Sequence, residues 1–126
     1  MNTSTKSIIL VEEDMNLRQS ISLILQRAGY SVTSTDNVYS AIDLVHYGKY
    51  QLVITDSNTP GTDRVLLPNL LGKHPDISIM VLTDNPDSDN GHKSQLLSAH
   101  YLEKPVAPES LLDYVGMVMD KFHLHQ

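Results

Sequence analysis

Acidic side chains follow two short apolar segments of the sequence. Glu12 and Glu13 come directly after residues 8–11, and Asp56 comes directly after residues 52–55. If these segments are neighbouring parallel strands, the three carboxylates converge at one edge of the sheet. Two such charges about 5 Å apart repel by about 3 kcal/mol at an effective dielectric constant of about 20. The group therefore favours a cation as its partner, and ligands that are all oxygen favour a hard ion such as Mg²⁺.

The acidic run also has a purely structural interpretation. Glu12, Glu13 and Asp14 are consecutive, as in a solvated charged surface. Asp14 is better suited to capping the helix that follows than to binding a metal, because its short side chain can accept a backbone N–H bond. Spacing alone leaves both interpretations open.

A hydroxyl group and an ammonium group follow two further apolar segments. Thr83 closes residues 77–83, and Lys104 follows residues 101–102, directly before Pro105. Beside a carboxylate loaded with metal, these groups can hold the oxygens of a phosphoryl group. Either one alone is weak evidence, whereas four segment ends that each supply a suitable group indicate a phosphoryl-transfer site.

The segments that would position these groups alternate with helical patterns. Strands are predicted over residues 7–11, 31–34, 52–55, 77–83 and 101–102. Such alternation favours a parallel sheet with helices on both faces, joined by right-handed crossovers. Asp14 and Asn37 are placed to cap two helices, and Pro68 would interrupt a third. Helices are predicted over residues 14–29, 37–48, 65–73 and 108–122, and residues 85–94 are too polar for more than a brief one.

Composition excludes several classes of protein. At 126 residues the chain has the size of one domain, and we expect residues 1–126 to form it. Its 9 Lys and Arg against 15 Asp and Glu give a net charge of -6, which disfavours direct binding of nucleic acid. The absence of cysteine excludes disulfides and zinc–thiolate sites and suits the cytoplasm. No apolar run reaches membrane-spanning length, so no membrane partner is expected.

The order of these motifs resembles the receiver domain of bacterial two-component response regulators. The matching segments are residues 8–14 (Ile-Ile-Leu-Val-Glu-Glu-Asp), 56–63 (Asp-Ser-Asn-Thr-Pro-Gly-Thr-Asp), 81–83 (Val-Leu-Thr) and 101–105 (Tyr-Leu-Glu-Lys-Pro). The resemblance covers essentially the whole chain. It implies an α/β, flavodoxin-like, doubly wound sheet of five parallel strands in the order 2-1-3-4-5.

The resemblance also implies a reaction. Asp56 would accept a phosphoryl group from a sensor histidine kinase or a histidine phosphotransfer protein. Mg²⁺ would be bound by Glu13, Asp56 and the backbone carbonyl of Asn58, and Glu12 would act through a bound water. An ionised carboxylate suits this role, because it needs no general base to act as a nucleophile.

The resemblance assigns the signalling roles to another group of residues. Thr83 and Lys104 would bind the phosphoryl oxygens, and Tyr101 would turn inward when the Thr83 hydroxyl moves. Spacing alone favours Tyr101 as an ordinary half-buried strand tyrosine, and the resemblance reverses that preference. The output surface, for a downstream effector protein or domain, would lie around the fifth strand and the helices on either side of it. Asn58 and Asn85 would flank the water that hydrolyses the acyl phosphate.

Three positions depart from the pattern of the family. Glu13 replaces an Asp, which adds a methylene to a metal ligand. Asp84 follows Thr83 where a small residue is usual, and it either hinders the incoming phosphoryl group or points into solvent. Arg64 replaces the Gly after Asp63, and it either changes the loop backbone or contributes a cation. These departures motivate the alternative of a degenerate pseudo-receiver, an interaction module independent of phosphorylation.

Two other classes fit the sequence less well. A nucleotide or flavin binder would have a Gly-rich or Ser/Thr-rich phosphate loop after the first strand, where this chain has acids. A phosphohydrolase that forms an aspartyl phosphate is compatible with Asp56-Ser57-Asn58-Thr59. However, the chain leaves little room for a cap that would select its substrate.

Overall fold

Five strands form one parallel sheet in the computed structural model, which describes residues 6–84 and 99–120. The strands are β1 (Ser7–Val11), β2 (Ser31–Thr35), β3 (Leu52–Asp56), β4 (Ser78–Thr83) and β5 (Ala99–Glu103). They lie in the order β2-β1-β3-β4-β5, and every neighbouring pair is parallel. The predicted fold class and strand order are confirmed.

Helices connect the strands across both faces of the sheet. They are α1 (Met15–Arg27), α2 (Val38–Tyr47), α3 (Leu67–Lys73) and α4 (Pro108–Asp120), and a π-helical turn over Thr62–Leu66 leads into α3. Asp14 accepts a hydrogen bond from the Leu17 amide at 3.0 Å, and Asn37 accepts one from the Ser40 amide at 2.9 Å. Both predicted N-caps are therefore confirmed.

Some predicted boundaries are wrong. Pro68 does not interrupt α3, because it lies in the first turn, where its missing N–H costs no helical hydrogen bond. Strand β5 is longer than residues 101–102, since its pairing with β4 extends the ladder in both directions. The helix expected within residues 85–94 lies outside the described residues, as does the predicted end of the last helix at residue 122.

The sheet separates two apolar cores, because successive strand residues point to opposite faces. In β1, Ile8 and Leu10 face one core, whereas Ile9 and Val11 face the other. Helices α1 and α4 cover the first face with Ile21, Leu25, Leu111, Val115, Val118 and Met119. Helices α2 and α3 cover the second with Val38, Ala41, Val45, Leu67 and Leu70. None of the helices in the described parts of the chain is long and apolar enough to cross a membrane.

The loop between β3 and α3 depends on one glycine. Gly61 has a φ of 87°, in the left-handed region that other residues adopt only with strain. A β-carbon at this position would lie 2.8 Å from Val38 Cγ2, so side-chain space is also lacking. The backbone that leaves the strand end at Asp56 therefore requires glycine here.

We expect Gly61→Ala to lower the free energy of unfolding by about 1–3 kcal/mol, since it adds both backbone strain and a close contact. The control is Gly116→Ala in the interior of α4, where a β-carbon would meet no atom within 4 Å. That substitution should raise stability by up to about 1 kcal/mol through helix propensity. Denaturant unfolding of both variants checks this, and equal effects at the two positions would contradict it.

Candidate functional site

The carboxyl edge of the sheet brings Glu12 and Asp56 together. Val11 of β1 pairs with Thr55 of β3, and each acid is the next residue along its strand. Glu12 is 3% exposed and Asp56 is 5% exposed. The two carboxyl groups are within hydrogen-bonding contact when Glu12 carries a proton. The convergence predicted for these two strand ends is therefore present.

Glu12 holds its proton more tightly than an ordinary glutamate. Burial raises the pKa of Glu12 to about 7, and the hydrogen bond to Asp56 and the repulsion from its charge act in the same direction. The Asp14 amide, which donates to Glu12 Oε2 at 3.0 Å, opposes the shift. When Glu12 is ionised, its Oε1 atom is buried without a hydrogen-bond donor among the described residues.

Asp56 is the ionised member of the pair. Burial alone would raise the pKa of Asp56, but hydrogen bonds from the Asn58 amide, Glu12 and Lys104 outweigh it and lower the pKa. The Asn58 amide donates to Oδ1 at 2.8 Å, and Lys104 Nζ lies 3.0 Å from both carboxylate oxygens. Asp56 therefore keeps a negative charge in a buried position without any help from a general base.

Neighbouring strand ends deliver Thr83 and Lys104 to this carboxylate. Thr83 is buried at the end of β4, where it pairs in register with Glu103 of β5. The Lys104 amide donates to the Thr83 carbonyl at 2.8 Å, which extends the ladder by one residue. The Lys104 side chain is only 16% exposed, so its ammonium group is largely withdrawn from water. Both predicted phosphoryl-binding residues thus lie at the same strand edge as Asp56.

Two threonines support the backbone of Asp56, and sequence reasoning missed both. The Asp56 carbonyl accepts from the Thr59 amide at 3.0 Å and from the Thr62 hydroxyl at 2.9 Å. The hydroxyls of Thr62 and Thr55 also lie 3.2 Å apart, and all three threonines are buried. The signal available in the sequence was the presence of several threonines close to an acid at a predicted strand end. Their contacts hold the Asp56 backbone in place at the start of the loop.

Comparison with known proteins identifies the family. The sequence profile of the response regulator receiver domain matches residues 8–116. The chain belongs to this family. The response regulator receiver protein CpdR of Brucella abortus is 34% identical to the receiver domain over 100 residues, which span 74% of this chain and 83% of CpdR.

Other relatives are longer than this receiver domain. The response regulator protein FleR of Pseudomonas aeruginosa is 30% identical over 111 residues, covering 86% of this chain but only 24% of FleR. The phosphate regulon transcriptional regulatory protein PhoB of the same organism is 29% identical over 118 residues, covering 90% of this chain and 52% of PhoB. The chain thus spans about a quarter of FleR and about half of PhoB.

Solved structures agree on the fold. The receiver domain aligns with a response regulator receiver domain protein from Clostridium thermocellum at a TM-score of 0.84, with 21% identity and coverage of 96% and 99% of the two chains. It aligns with the chemotaxis protein CheY4 of Vibrio cholerae at a TM-score of 0.81, with 22% identity and coverage of 91% and 99%. These likenesses support the strand order and the helix placement.

The candidate metal ligands of the receiver domain include two carboxylates that meet at the strand edge. Within the described ranges, no three His, Cys, Asp or Glu side chains converge as a metal-binding group. Glu13, one of the predicted ligands, is exposed, whereas Glu12 and Asp56 meet at the strand edge. The buried Oε1 of Glu12 lacks a donor when ionised, and a cation would satisfy it. The oxygen donors present therefore fit a hard ion such as Mg²⁺.

Asp84 lies at the rim of the receiver site. Its side chain is 68% exposed, yet it is not directed away into solvent. Asp84 Oδ2 accepts from Asn58 Nδ2 at 3.0 Å and lies 3.8 Å from Lys104 Nζ. Asp84 thus contacts two groups of the site instead of pointing freely into solvent, whereas its effect on an incoming phosphoryl group stays a prediction.

The remaining predicted residues lie farther from Asp56. Tyr101 in β5 pairs with Val81, packs half-buried on the core beneath α2 and α3, and has a buried hydroxyl oxygen. Arg64 is exposed in the π-helical turn, and in the described part of the chain it forms no ion pair with Asp56. Asn85 lies outside the described residues.

The pKa of Glu12 predicts how stability depends on pH without divalent cations. Because the pKa rises from 4.5 to about 7 on folding, the stability associated with protonated Glu12 is complete below about pH 4.5 and is lost as the pH rises through 7. The loss should be on the order of 2–3 kcal/mol. Asp56, whose pKa is lowered, loses its contribution to stability only when the pH falls well below this range.

Denaturant unfolding between pH 5 and 8 in chelator measures this dependence. Glu12→Gln should remove it, whereas Glu13→Gln, which changes an exposed neighbour, should leave it intact. Titration of the histidines is common to all three proteins and cancels in the comparison. An identical pH dependence of stability in wild type and Glu12→Gln would refute the raised pKa of Glu12.

Proposed function

We propose that this receiver domain accepts a phosphoryl group on Asp56 from a sensor histidine kinase or a histidine phosphotransfer protein. One observation supports this above all others: a buried, ionised carboxylate with both oxygens 3.0 Å from one lysine. Such a group combines a free lone pair for attack with a nearby positive charge for the oxygens of the electrophile. Membership of the family supports the same reaction.

The transfer is a displacement at phosphorus. An oxygen of Asp56 forms a new bond to phosphorus while the bond from phosphorus to the histidine nitrogen of the donor breaks. The electron pair of the broken bond stays on the imidazole nitrogen, which then takes a proton from solvent. Asp56 is already ionised, so its attack requires no proton transfer within the receiver domain.

Other residues of the chain position and stabilise the phosphoryl group. In the proposal Lys104 and Thr83 bind its oxygens, and Mg²⁺ is held by Glu13, Asp56 and the Asn58 carbonyl, with Glu12 acting through water. Mg²⁺ bound there would supply a second positive charge to the phosphoryl oxygens. The Asn58 amide and the two threonine contacts to the Asp56 carbonyl keep the nucleophile in one orientation.

The output of the reaction is a change of surface. Once Asp56 is an acyl phosphate, Lys104 and Thr83 shift to the phosphoryl oxygens. Tyr101, which lies on the neighbouring strand, then turns inward. The surface around β5 then binds an effector protein or domain. In this proposal the domain, residues 1–126, acts in the cytoplasm on proteins, without direct contact to nucleic acid or membrane. It promotes its own phosphorylation and dephosphorylation and turns over no external substrate.

Incubation with acetyl phosphate and Mg²⁺ should add one phosphoryl group, detected by intact-protein mass spectrometry. Asp56→Asn should abolish the adduct, because the amide is not a nucleophile, whereas Glu103→Gln, an exposed acid next to Lys104, should retain it. An adduct that survives in Asp56→Asn, or no adduct in the wild type, would overturn the proposal.

The pseudo-receiver alternative is favoured by one observation, the exposure of Glu13 away from any group of three acids within the described residues. The two candidates differ in their response to metal. The phosphoacceptor should gain thermal stability on addition of Mg²⁺, because the ion binds only the folded site. The gain should disappear in Asp56→Asn and persist in Glu103→Gln. Identical melting curves with Mg²⁺ and with chelator would favour the pseudo-receiver.

A further inference from the structure

Asp84 connects two groups that surround the phosphorylation site. Its carboxylate accepts a hydrogen bond from the Asn58 side chain at 3.0 Å and lies 3.8 Å from Lys104 Nζ. Asn58 lies in the loop after β3, and Asp84 is the residue directly after β4. The hydrogen bond between their side chains therefore spans the gap between two strand ends. The same ammonium group lies 3.0 Å from both oxygens of Asp56, so this bridge adjoins the phosphorylation site.

We propose that Asp84 is a specificity-determining residue that makes the site discriminate against small, strongly anionic phosphodonors. The inference rests on the proposed phosphorylation of Asp56 and concerns which donors can perform it. The favoured donor brings a positive group to the Asp84 carboxylate together with its phosphoryl group.

The charges around Lys104 account for the discrimination. Lys104 lies 3.0 Å from both oxygens of Asp56 and 3.8 Å from Asp84, so its charge is committed mainly to Asp56. The charge of Asp84 is therefore incompletely neutralised, and its side chain is 68% exposed at the surface from which a donor arrives. A dianionic phosphoryl group that approaches Asp56 meets this charge at short range, which should slow transfer by roughly three- to tenfold.

The bridge to Asn58 adds a geometric element. The Asn58 side chain is exposed and is held toward Asp84 by this hydrogen bond. A donor that pairs its own cation with Asp84 replaces this hydrogen bond and neutralises the carboxylate at once. Access and charge are thus controlled by the same side chain.

Two small phosphodonors separate these effects. Acetyl phosphate is a dianion near neutral pH, whereas phosphoramidate carries a smaller net negative charge and has a basic nitrogen bonded to phosphorus. Asp84→Asn keeps an acceptor for Asn58 but removes the charge, and Asp84→Ala removes both. The matched control is Glu103→Gln, which removes the charge of an exposed carboxylate directly before Lys104.

The experiment measures the rate of adduct formation at Asp56 by mass spectrometry with Mg²⁺ present. Asp84→Asn should accelerate phosphorylation by acetyl phosphate by three- to tenfold, and phosphorylation by phosphoramidate by less than twofold. The gain should shrink as ionic strength rises, since the interaction is partly exposed. Glu103→Gln should leave the ratio of the two rates unchanged.

A second measurement needs neither donor nor metal. The side-chain amide resonances of Asn58 in a ¹⁵N spectrum should shift in Asp84→Ala and stay in place in Glu103→Gln. Unshifted Asn58 resonances in Asp84→Ala would overturn the proposed role of the hydrogen bond between Asn58 and Asp84.

The outcomes separate the two proposals. Adducts that form at Asp56 with equal rates in wild type and Asp84→Asn, or with equal gains for both donors, overturn the role of Asp84 alone. The absence of any adduct in all variants with both donors overturns the phosphoacceptor function and this inference together.

Discussion

The receiver site is organised by a buried carboxylate that must stay charged. Asp56 is 5% exposed, so its charge depends on a lysine and on fixed amide donors that replace water. Lys104 can reach it only because β5 lies beside β4 and the backbone of Lys104 is bound to Thr83. Burial raises the pKa of Glu12, on the other side, to about 7, although the charge of Lys104 acts against the shift. The pKa values of the two acids are thereby displaced in opposite directions at the same strand edge.

This arrangement follows from the sheet order and from the loop after β3. Strands β1 and β4 lie on either side of β3, and β5 lies beyond β4. The residues that follow β1, β4 and β5 therefore converge on Asp56. Gly61 allows the chain to turn in a left-handed conformation, and the turn returns Thr62 to the Asp56 carbonyl. The same loop presents the Asn58 amide to the carboxylate and the Asn58 side chain to Asp84. The backbone support of Asp56 and the contact with Asp84 therefore share one short segment.

The sequence predicts the framework well because strong local patterns specify it. Buried runs such as residues 8–11 and 52–55, with caps at Asp14 and Asn37, are sufficient to place β1, β3, α1 and α2. The family resemblance supplies the strand order, and the acids at the strand ends then locate the site. The hydrogen bonds of Thr59 and Thr62, in contrast, depend on the tertiary path of a loop, which no periodicity describes. The exposure of Glu13 and the contacts of Asp84 also depend on side-chain directions at the surface, where residue type says little.

The opposite displacements of the pKa values of Glu12 and Asp56 can be measured directly. Carbon-13 NMR of the side-chain carboxyl groups, followed as a function of pH in metal-free solution, reports each acid separately. The account predicts that Glu12 titrates with a pKa near 7 and that Asp56 titrates below the ordinary range of an aspartate. An ordinary pKa for Glu12 near 4.5, or an Asp56 that takes up its proton before Glu12, would contradict the account of the site.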